Sequence, residues 1–400
     1  MARTRSSSTR PRGNRRTAAP AASSEISDAD LRRYSRHLLL PEIGLEGQRR
    51  IARGKILLVG AGGLGAPAAL YLAAAGVGTL GIVDFDTVAE SNLQRQVLYG
   101  TSDVGRPKVE AAQARLHDLN PSVEIVRHAT PLETTNALGL FEPYDLVIDG
   151  TDNYPARYLI NDACVALGKP DVFGSVYRFE GQVSVFRAPP GPCYRCLFPE
   201  PPPPEAAPSC AEAGVLGVLP GLVGLIQAAE ALKLLLQRGV PLIGRLLLLD
   251  ALEMRFKELE IHRDPACLRC SASHRRDPLV SMEAACDPAG PNHGEVSEIA
   301  PEDLRDELAG PAPPLLVDVR EPAEFAINRL PGAVLIPLKE LGVRSAELRA
   351  ARSVVVYCKM GARSRRATEL LLDLGFRRVR NLQGGIDAWA DRVDPTVRRY

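Results

Sequence analysis

The short apolar run Lys55–Val59 ends in Gly60-Ala61-Gly62-Gly63-Leu64-Gly65, and an Ala- and Leu-rich stretch follows to Ala75. Leu80-Gly81-Ile82-Val83-Asp84 then reads as a second strand. A strand, a glycine loop, a helix and a strand in this order constrain the chain strongly. The strands must lie parallel, so the fold class is α/β with a doubly wound, Rossmann-like sheet. Spaced as Gly60-x-Gly62-x-x-Gly65, with Gly63 between, the glycines let backbone approach phosphates at a helix N-terminus. Asp84, at the end of the second strand, is placed to accept from ribose hydroxyls. Taken alone, this fingerprint fits a NAD-dependent dehydrogenase.

Strands and helices alternate over residues 28–275. Pro107 opens a helix running to about Leu119, and Asp145–Asp149 is a later buried strand. Residues 199–208 hold six prolines and no periodicity, which predicts a mobile loop within the domain. Residues 276–296 lack strong periodicity and read as a linker. Elements resume over 297–400 with Leu315–Val319, Val354–Tyr357 and a helix beginning near Ser364, giving a second, smaller α/β domain.

The segment Met1–Arg16 is rich in arginine among Ser, Thr and Pro. It cannot bury enough apolar surface to fold, so residues 1–27 are expected to be a disordered basic tail, a transit peptide being the rival reading. A net charge of +1 gives no general attraction to nucleic acid or membrane. Val215–Leu236 is the most apolar stretch, but Pro220 and several glycines interrupt it. Gln227, Glu230 and Lys233 recur every third residue, predicting a buried amphipathic helix rather than a membrane span. No apolar leader follows the basic tail, and a cytoplasmic protein is expected.

Asp84-Phe85-Asp86-Thr87-Val88, followed by Ser91-Asn92-Leu93-Gln94-Arg95-Gln96, resembles the ubiquitin-activating-enzyme superfamily, nearest its MoeB/ThiF branch. The resemblance runs from Arg33-Tyr34-Ser35-Arg36 to Cys267-Leu268-Arg269-Cys270. It implies that the nucleotide is ATP. The C-terminal glycine carboxylate of a carrier protein would attack the α-phosphate, giving an acyl-adenylate and pyrophosphate. The attacking group is already an anion, so the chemistry calls for cations and Mg²⁺ around the phosphates rather than a base. The family pattern selects Arg95, Lys108 and Arg36 as those cations, with Asn92 and Asn153 at the nucleotide and Asp152 as the magnesium ligand. Asp152 follows a strand end, where open α/β sheets bind ligands. Lys108 sits in the first turn of its helix, where the helix dipole disfavours a cation and an anion would be welcome. Arg36 is expected to act across a homodimer interface as an arginine finger.

Cys193-x-x-Cys196 and Cys267-x-x-Cys270 are two knuckle-like pairs separated by a long stretch of chain. Four thiolates would close a tetrahedral site around structural Zn²⁺, and MoeB-like proteins carry both pairs at matching places. Cys210 follows the proline-rich loop ahead of a helix, a setting that favours a thiolate. The resemblance makes it a candidate for a thioester or acyl-disulfide adduct. Cys164 and Cys286 carry no assignment.

Val354-Val355-Val356-Tyr357-Cys358 is a strand running into Lys359-Met360-Gly361-Ala362-Arg363-Ser364 and a helix. Backbone N–H groups and the helix N-terminus would converge on the Cys358 sulfur there. Together with Leu316-Val317-Asp318-Val319-Arg320-Glu321-Pro322 and Asn381-Leu382-Gln383-Gly384-Gly385-Ile386, this resembles rhodanese domains over about 297–392. The spacing Cys358-x4-Arg363, one residue shorter than a phosphatase loop, favours sulfur over phosphate chemistry.

The fusion resembles MoeZ-type adenylyltransferase/sulfurtransferases and their eukaryotic relatives in molybdopterin synthesis and tRNA thiolation. It implies that a Cys358 persulfide converts the Gly-Gly end of a small ubiquitin-like sulfur carrier into a thiocarboxylate. The sulfur would come from thiosulfate or a cysteine desulfurase. An oxidoreductase with a rhodanese appendage and a scaffold for ubiquitin-like partners remain the alternatives. ATP–pyrophosphate exchange separates the first from this reading, and the presence of every expected phosphate-site residue disfavours the second.

Overall fold

A computed structural model of the chain describes residues 27–202, 214–280 and 296–400. Two compact units divide it, Met1–Asp287 and Pro288–Tyr400. Each is built on its own sheet.

In the first unit the strands are β1 (Lys55–Val59), β2 (Thr79–Val83), β3 (Glu124–His128), β4 (Leu146–Asp149), β5 (Asp171–Tyr177), β6 (Glu180–Phe186), β7 (Arg245–Asp250) and β8 (Arg255–Glu260). They lie in the order β3-β2-β1-β4-β5-β6-β7-β8. The five from β3 to β5 are parallel, as the strand–helix alternation requires. β6, β7 and β8 extend the sheet antiparallel. This extension was not expected from the sequence. The reversal begins locally, since only Arg178 and Phe179 separate β5 from β6, and so short a connection can join only antiparallel strands.

Burial explains the strand compositions. β1 is covered on both faces and reads as a continuous apolar run, buried at every position after Lys55. β8 ends the sheet, is exposed throughout, and carries Arg255, Lys257, Glu258 and Glu260, charges that discourage edge-to-edge pairing. Strand β2 stops at Val83, so Asp84 stands just beyond a strand end.

The helix Val218–Leu236 is long and apolar enough to cross a membrane by length and composition. It packs instead on the sheet, and its recurring polar residues face the domain's own backbone. Gln227 Nε2 donates to the carbonyls of Asp149 (2.7 Å) and Val172 (2.8 Å), and Glu230 Oε2 accepts from Leu242 N (2.8 Å). This is a core helix.

The second unit holds β9 (Glu298–Ile299), β10 (Leu315–Asp318), β11 (Val334–Leu335), β12 (Val354–Tyr357) and β13 (Val379–Leu382). The order is β11-β10-β12-β13-β9, all parallel. Alternate residues build two cores. Val317, Val354 and Val356 pack with Leu371 on one face, and Leu316, Val355 and Tyr357 with Trp389 on the other. The helix after β12 begins at Ala362, slightly earlier than expected, because Gly361 (φ +100°) turns the chain straight into it.

Candidate functional site

The order of the first sheet reverses between β1 and β4, from whose carboxyl ends the chain departs in opposite directions. Crevices at such a switch point are where open α/β sheets hold ligands. A cleft of about 1120 Å³ opens there. Gly60, Gly62 and Gly63 line it after β1, Asp84 after β2, and Asp152 and Asn153 after β4. Arg95 and Lys108 also face it.

Gly65 does not line the cleft. It lets the helix Gly65–Ala75 press against the loop, since a Cβ there would lie 1.9 Å from the Gly60 carbonyl oxygen. Asn92 also stays out of the lining, its Oδ1 accepting from Ala89 N at 3.3 Å. Arg36, in the helix Ser35–Leu38, is exposed and is not part of the cleft wall. Cys210 lies outside the described residues.

Lys108 is the first residue of the helix Lys108–Leu119, and it is buried. Two acids offset the unfavourable dipole, with Nζ 2.8 Å from Asp86 Oδ2 and 4.0 Å from Asp84 Oδ2. Asp84 is anchored by Ala61 N and Asp86 N, each at 2.9 Å. Burial pushes its carboxyl up, and Lys108 pulls it back. Arg95 is half-buried, with Nη1 3.0 Å from the Ser91 carbonyl.

The cap of the helix Tyr154–Leu167 is Asn153, whose Oδ1 accepts from Ala156 N at 2.9 Å. Asp152 is therefore not occupied as a cap. It is exposed and, among the described residues, makes no hydrogen bond or ion pair. Such a carboxylate at the strand end fits a hard, oxygen-seeking cation such as Mg²⁺.

Sequence reasoning missed Arg157 in the cleft wall. Its Nε lies 3.7 Å from Asp149 Oδ2, its Nη2 donates to the Thr151 carbonyl (3.3 Å), and its guanidinium stacks on Tyr154 (5.3 Å) and Phe173 (5.1 Å). Burial pushes the Asp149 carboxyl up, with Arg157 opposing. The feature that supported Lys108, a cation in the first turn of a helix, is present here too and could have pointed to it.

The four paired cysteines meet. Their sulfurs all lie within 4.8 Å of one another. Cys193–Cys196, Cys193–Cys267 and Cys196–Cys270 are separated by 3.8, 3.6 and 3.5 Å. A tetrahedron of sulfurs about 2.3 Å from zinc has edges of about 3.8 Å, so the cluster fits a four-thiolate zinc site. Asp162 ties the knuckles together. Arg195, inside one pair, reaches its carboxylate with two bonds of 2.9 Å, and Arg269, inside the other, donates to its carbonyl at 2.8 Å.

In the second unit Cys358 follows β12 and is only 2% exposed. Gly361 N donates to its sulfur at 3.1 Å and Ser364 Oγ at 3.3 Å. Gly384-Gly385-Ile386 supports the loop from behind, with Ile386 N donating to the Cys358 carbonyl at 2.9 Å. Gly385 (φ +62°) must be glycine, because a Cβ would lie 2.4 Å from the Lys359 carbonyl oxygen and 2.5 Å from that of Cys358. Met360 and Ala362 are exposed. Arg363 pairs with both oxygens of Glu324, at 2.7 and 2.8 Å.

Residues 34–269 match the ThiF family and residues 300–392 the rhodanese-like domain. The adenylyltransferase/sulfurtransferase MoeZ of Mycobacterium tuberculosis, a probable one by its name, is 47% identical over 94% of this chain and 97% of its own. The adenylyltransferase and sulfurtransferase MOCS3 of Sus scrofa is 43% identical over 94% of this chain and 89% of its own. A sulfur carrier protein adenylyltransferase of Thermus thermophilus is 56% identical over 64% of this chain and 97% of its own. Among solved structures, E. coli MccB with ATP aligns with a TM-score of 0.53 at 21% identity, over 60% of this chain and 74% of that one, a likeness of fold. Two domains matched in this order, and full-length relatives bearing both activities, show that the chain belongs to the ThiF family, among its members that carry a rhodanese-like domain and act as adenylyltransferase/sulfurtransferase enzymes.

Proposed function

We propose that the chain adenylates the C-terminal glycine of a small ubiquitin-like sulfur carrier and then exchanges the adenylate for sulfur held as a persulfide on Cys358. One observation carries this reading. A cleft at the switch point gathers Arg95, Lys108 and Asp152 around the glycine loop, and the same chain presents a cysteine sulfur to a backbone N–H and a hydroxyl.

Backbone at Gly60, Gly62 and Gly63 approaches the phosphates, and Asp84 accepts from the ribose. Lys108 leaves Asp86 for the polyphosphate, and Arg95 adds a second cation. The carrier carboxylate then forms a bond to the α-phosphorus as pyrophosphate leaves. Asp152 would hold Mg²⁺, which supplies charge neutralisation for the phosphate oxygens. The terminal sulfur of the Cys358 persulfide attacks the acyl carbon of the adenylate, or of a thioester at Cys210, and AMP or the Cys210 thiolate leaves. A second thiol then attacks the Cys358 sulfur of the acyl disulfide, freeing the thiocarboxylate and leaving a disulfide at Cys358. Residues 297–400 act as the sulfurtransferase domain and residues 28–275 as the adenylation domain. A cytoplasmic setting keeps both sets of thiols reduced. The direct test is mass spectrometry of a candidate carrier incubated with enzyme, MgATP and thiosulfate. Replacement of one carboxylate oxygen by sulfur is the expected result, and a carrier that stays unmodified with a competent donor present refutes the reading.

The cysteine cluster is proposed to bind structural zinc. Freshly purified protein should contain one zinc per chain by elemental analysis, and Cys193→Ser should lose metal and thermal stability together. Metal-free, fully stable protein would contradict this.

The position of Arg36, exposed and away from its own cleft, is consistent with service to a second copy. In a homodimer, mixing Arg36→Ala with Asp152→Ala chains should restore up to roughly a quarter of wild-type exchange through hybrid sites. Mixtures no more active than their components, or monomers by light scattering, would end that proposal.

A further inference from the structure

We infer that Tyr400 is a specificity-determining residue for sulfur donors, because it occupies Lys359, the cation beside Cys358 that a small anionic donor would otherwise meet. This rests on the reading of Cys358 as the sulfur carrier.

The ring of Tyr400 lies under the ammonium of Lys359, 4.4 Å from its centroid, and Lys359 Nζ also donates to the Tyr400 carbonyl oxygen. The ring is not free to swing away. Its hydroxyl donates to Glu324 Oε1 at 2.7 Å and accepts from Arg320 Nη1 at 2.9 Å. Arg320 is itself fully buried, and it is fixed by Asp318 Oδ2 (2.6 Å) and Asn328 Oδ1 (2.7 Å). Burial pushes the Glu324 carboxyl up, but its bonds to Arg363, Glu321 N and the Tyr400 hydroxyl outweigh that and hold it down at about 2, so it stays an anion.

Glu324 thus commits its charge to Arg363, and Tyr400 takes Lys359. These are the two cationic side chains of the loop from Cys358 to Ser364. Thiosulfate, a dianion, has to compete for the Lys359 charge with the ring and with the Tyr400 main-chain oxygen, of which only the ring is lost in a side-chain substitution. Cation–ring contacts and phosphate- or sulfonate-like oxygens compete for the same ammonium protons. Tyr400 therefore raises the thiosulfate concentration the loop needs, without entering the chemistry. In that chemistry the Cys358 thiolate attacks the outer sulfur of thiosulfate, the S–S bond breaks, and sulfite leaves with the electron pair. Cyanide then takes the terminal sulfur as thiocyanate and regenerates the thiolate.

The test is thiosulfate–cyanide sulfur transfer by the full chain, with KM and kcat measured separately. Tyr400→Ala should lower the KM for thiosulfate roughly three- to tenfold with kcat little changed, and Tyr400→Phe, which keeps the ring, should lower it less. In a Lys359→Gln background the Tyr400→Ala effect on KM should vanish, which a merely structural role for Tyr400 would not produce. Should Tyr400→Ala fail to fold, Tyr400→Leu fills the space without an aromatic face and serves in its place. A KM that is unchanged or raised, or that falls equally without Lys359, overturns the inference. A Cys358→Ala chain that still turns over would instead overturn the underlying reading of Cys358.

Discussion

Asp152→Ala is expected to leave the chain folded while slowing ATP–pyrophosphate exchange by at least about a hundredfold, because metal charge at a transferring phosphate is worth several kcal/mol and each step of about 1.4 kcal/mol is about tenfold. The structure separates the two effects. Asp152 is exposed, has no hydrogen bond or ion pair among the described residues, and leaves the helix cap to Asn153. Surface substitutions of this kind shift stability by about 0.5 kcal/mol or less. Circular dichroism and melting should therefore match the wild type. Nucleotide affinity measured in EDTA should also match, since the glycine loop and Lys108 are intact. The loss should appear only when magnesium is added and chemistry is followed. Near-normal exchange by the folded variant would remove Asp152 from the site.

The glycine loop was legible because its constraint is local. Gly65 must be glycine for a helix to sit against the turn that precedes it, and both belong to one short loop. Lys108 was selected by family resemblance, and its place at a helix start, where only an anion or nearby acids would balance it, agreed with that choice. What could not be read was set by residues distant in sequence. Asp162 binding arginines from both cysteine pairs, Glu324 holding Arg363, and Tyr400 under Lys359 depend on which elements meet in space. No periodicity carries that information. The convergence of Cys193 and Cys196 with the far-off Cys267 and Cys270 came from family resemblance, and spacing alone would not have closed that loop. The antiparallel half of the sheet escaped for a subtler reason. The tight turn at Arg178-Phe179 lacks the glycine or asparagine that advertises a hairpin, and Arg178 takes up the positive φ of 54° itself.

The Cys358→Ala chain should keep full ATP–pyrophosphate exchange with its carrier and yet form no thiocarboxylate. The residues behind these two outcomes belong to separate units, each with its own sheet and core. Removing the sulfur leaves Gly361 N and Ser364 Oγ without that acceptor, but Ser364 Oγ still donates to the Gly361 carbonyl at 3.1 Å. The rhodanese-like domain should thus lose only about 1–3 kcal/mol of stability, the cost of one buried donor left unpaired. Residues 297–400 alone, carrying β9 through β13 and cores on both faces, should transfer sulfur from thiosulfate to cyanide without ATP. The chemistry requires this division. Acyl activation consumes ATP before sulfur is needed, and the persulfide only intercepts an acyl group already activated. One result would decide against it: wild-type rates of carrier thiocarboxylation by Cys358→Ala with no free sulfide supplied. Sulfur would then reach the adenylate by another route, and the Cys358 loop would serve docking rather than transfer.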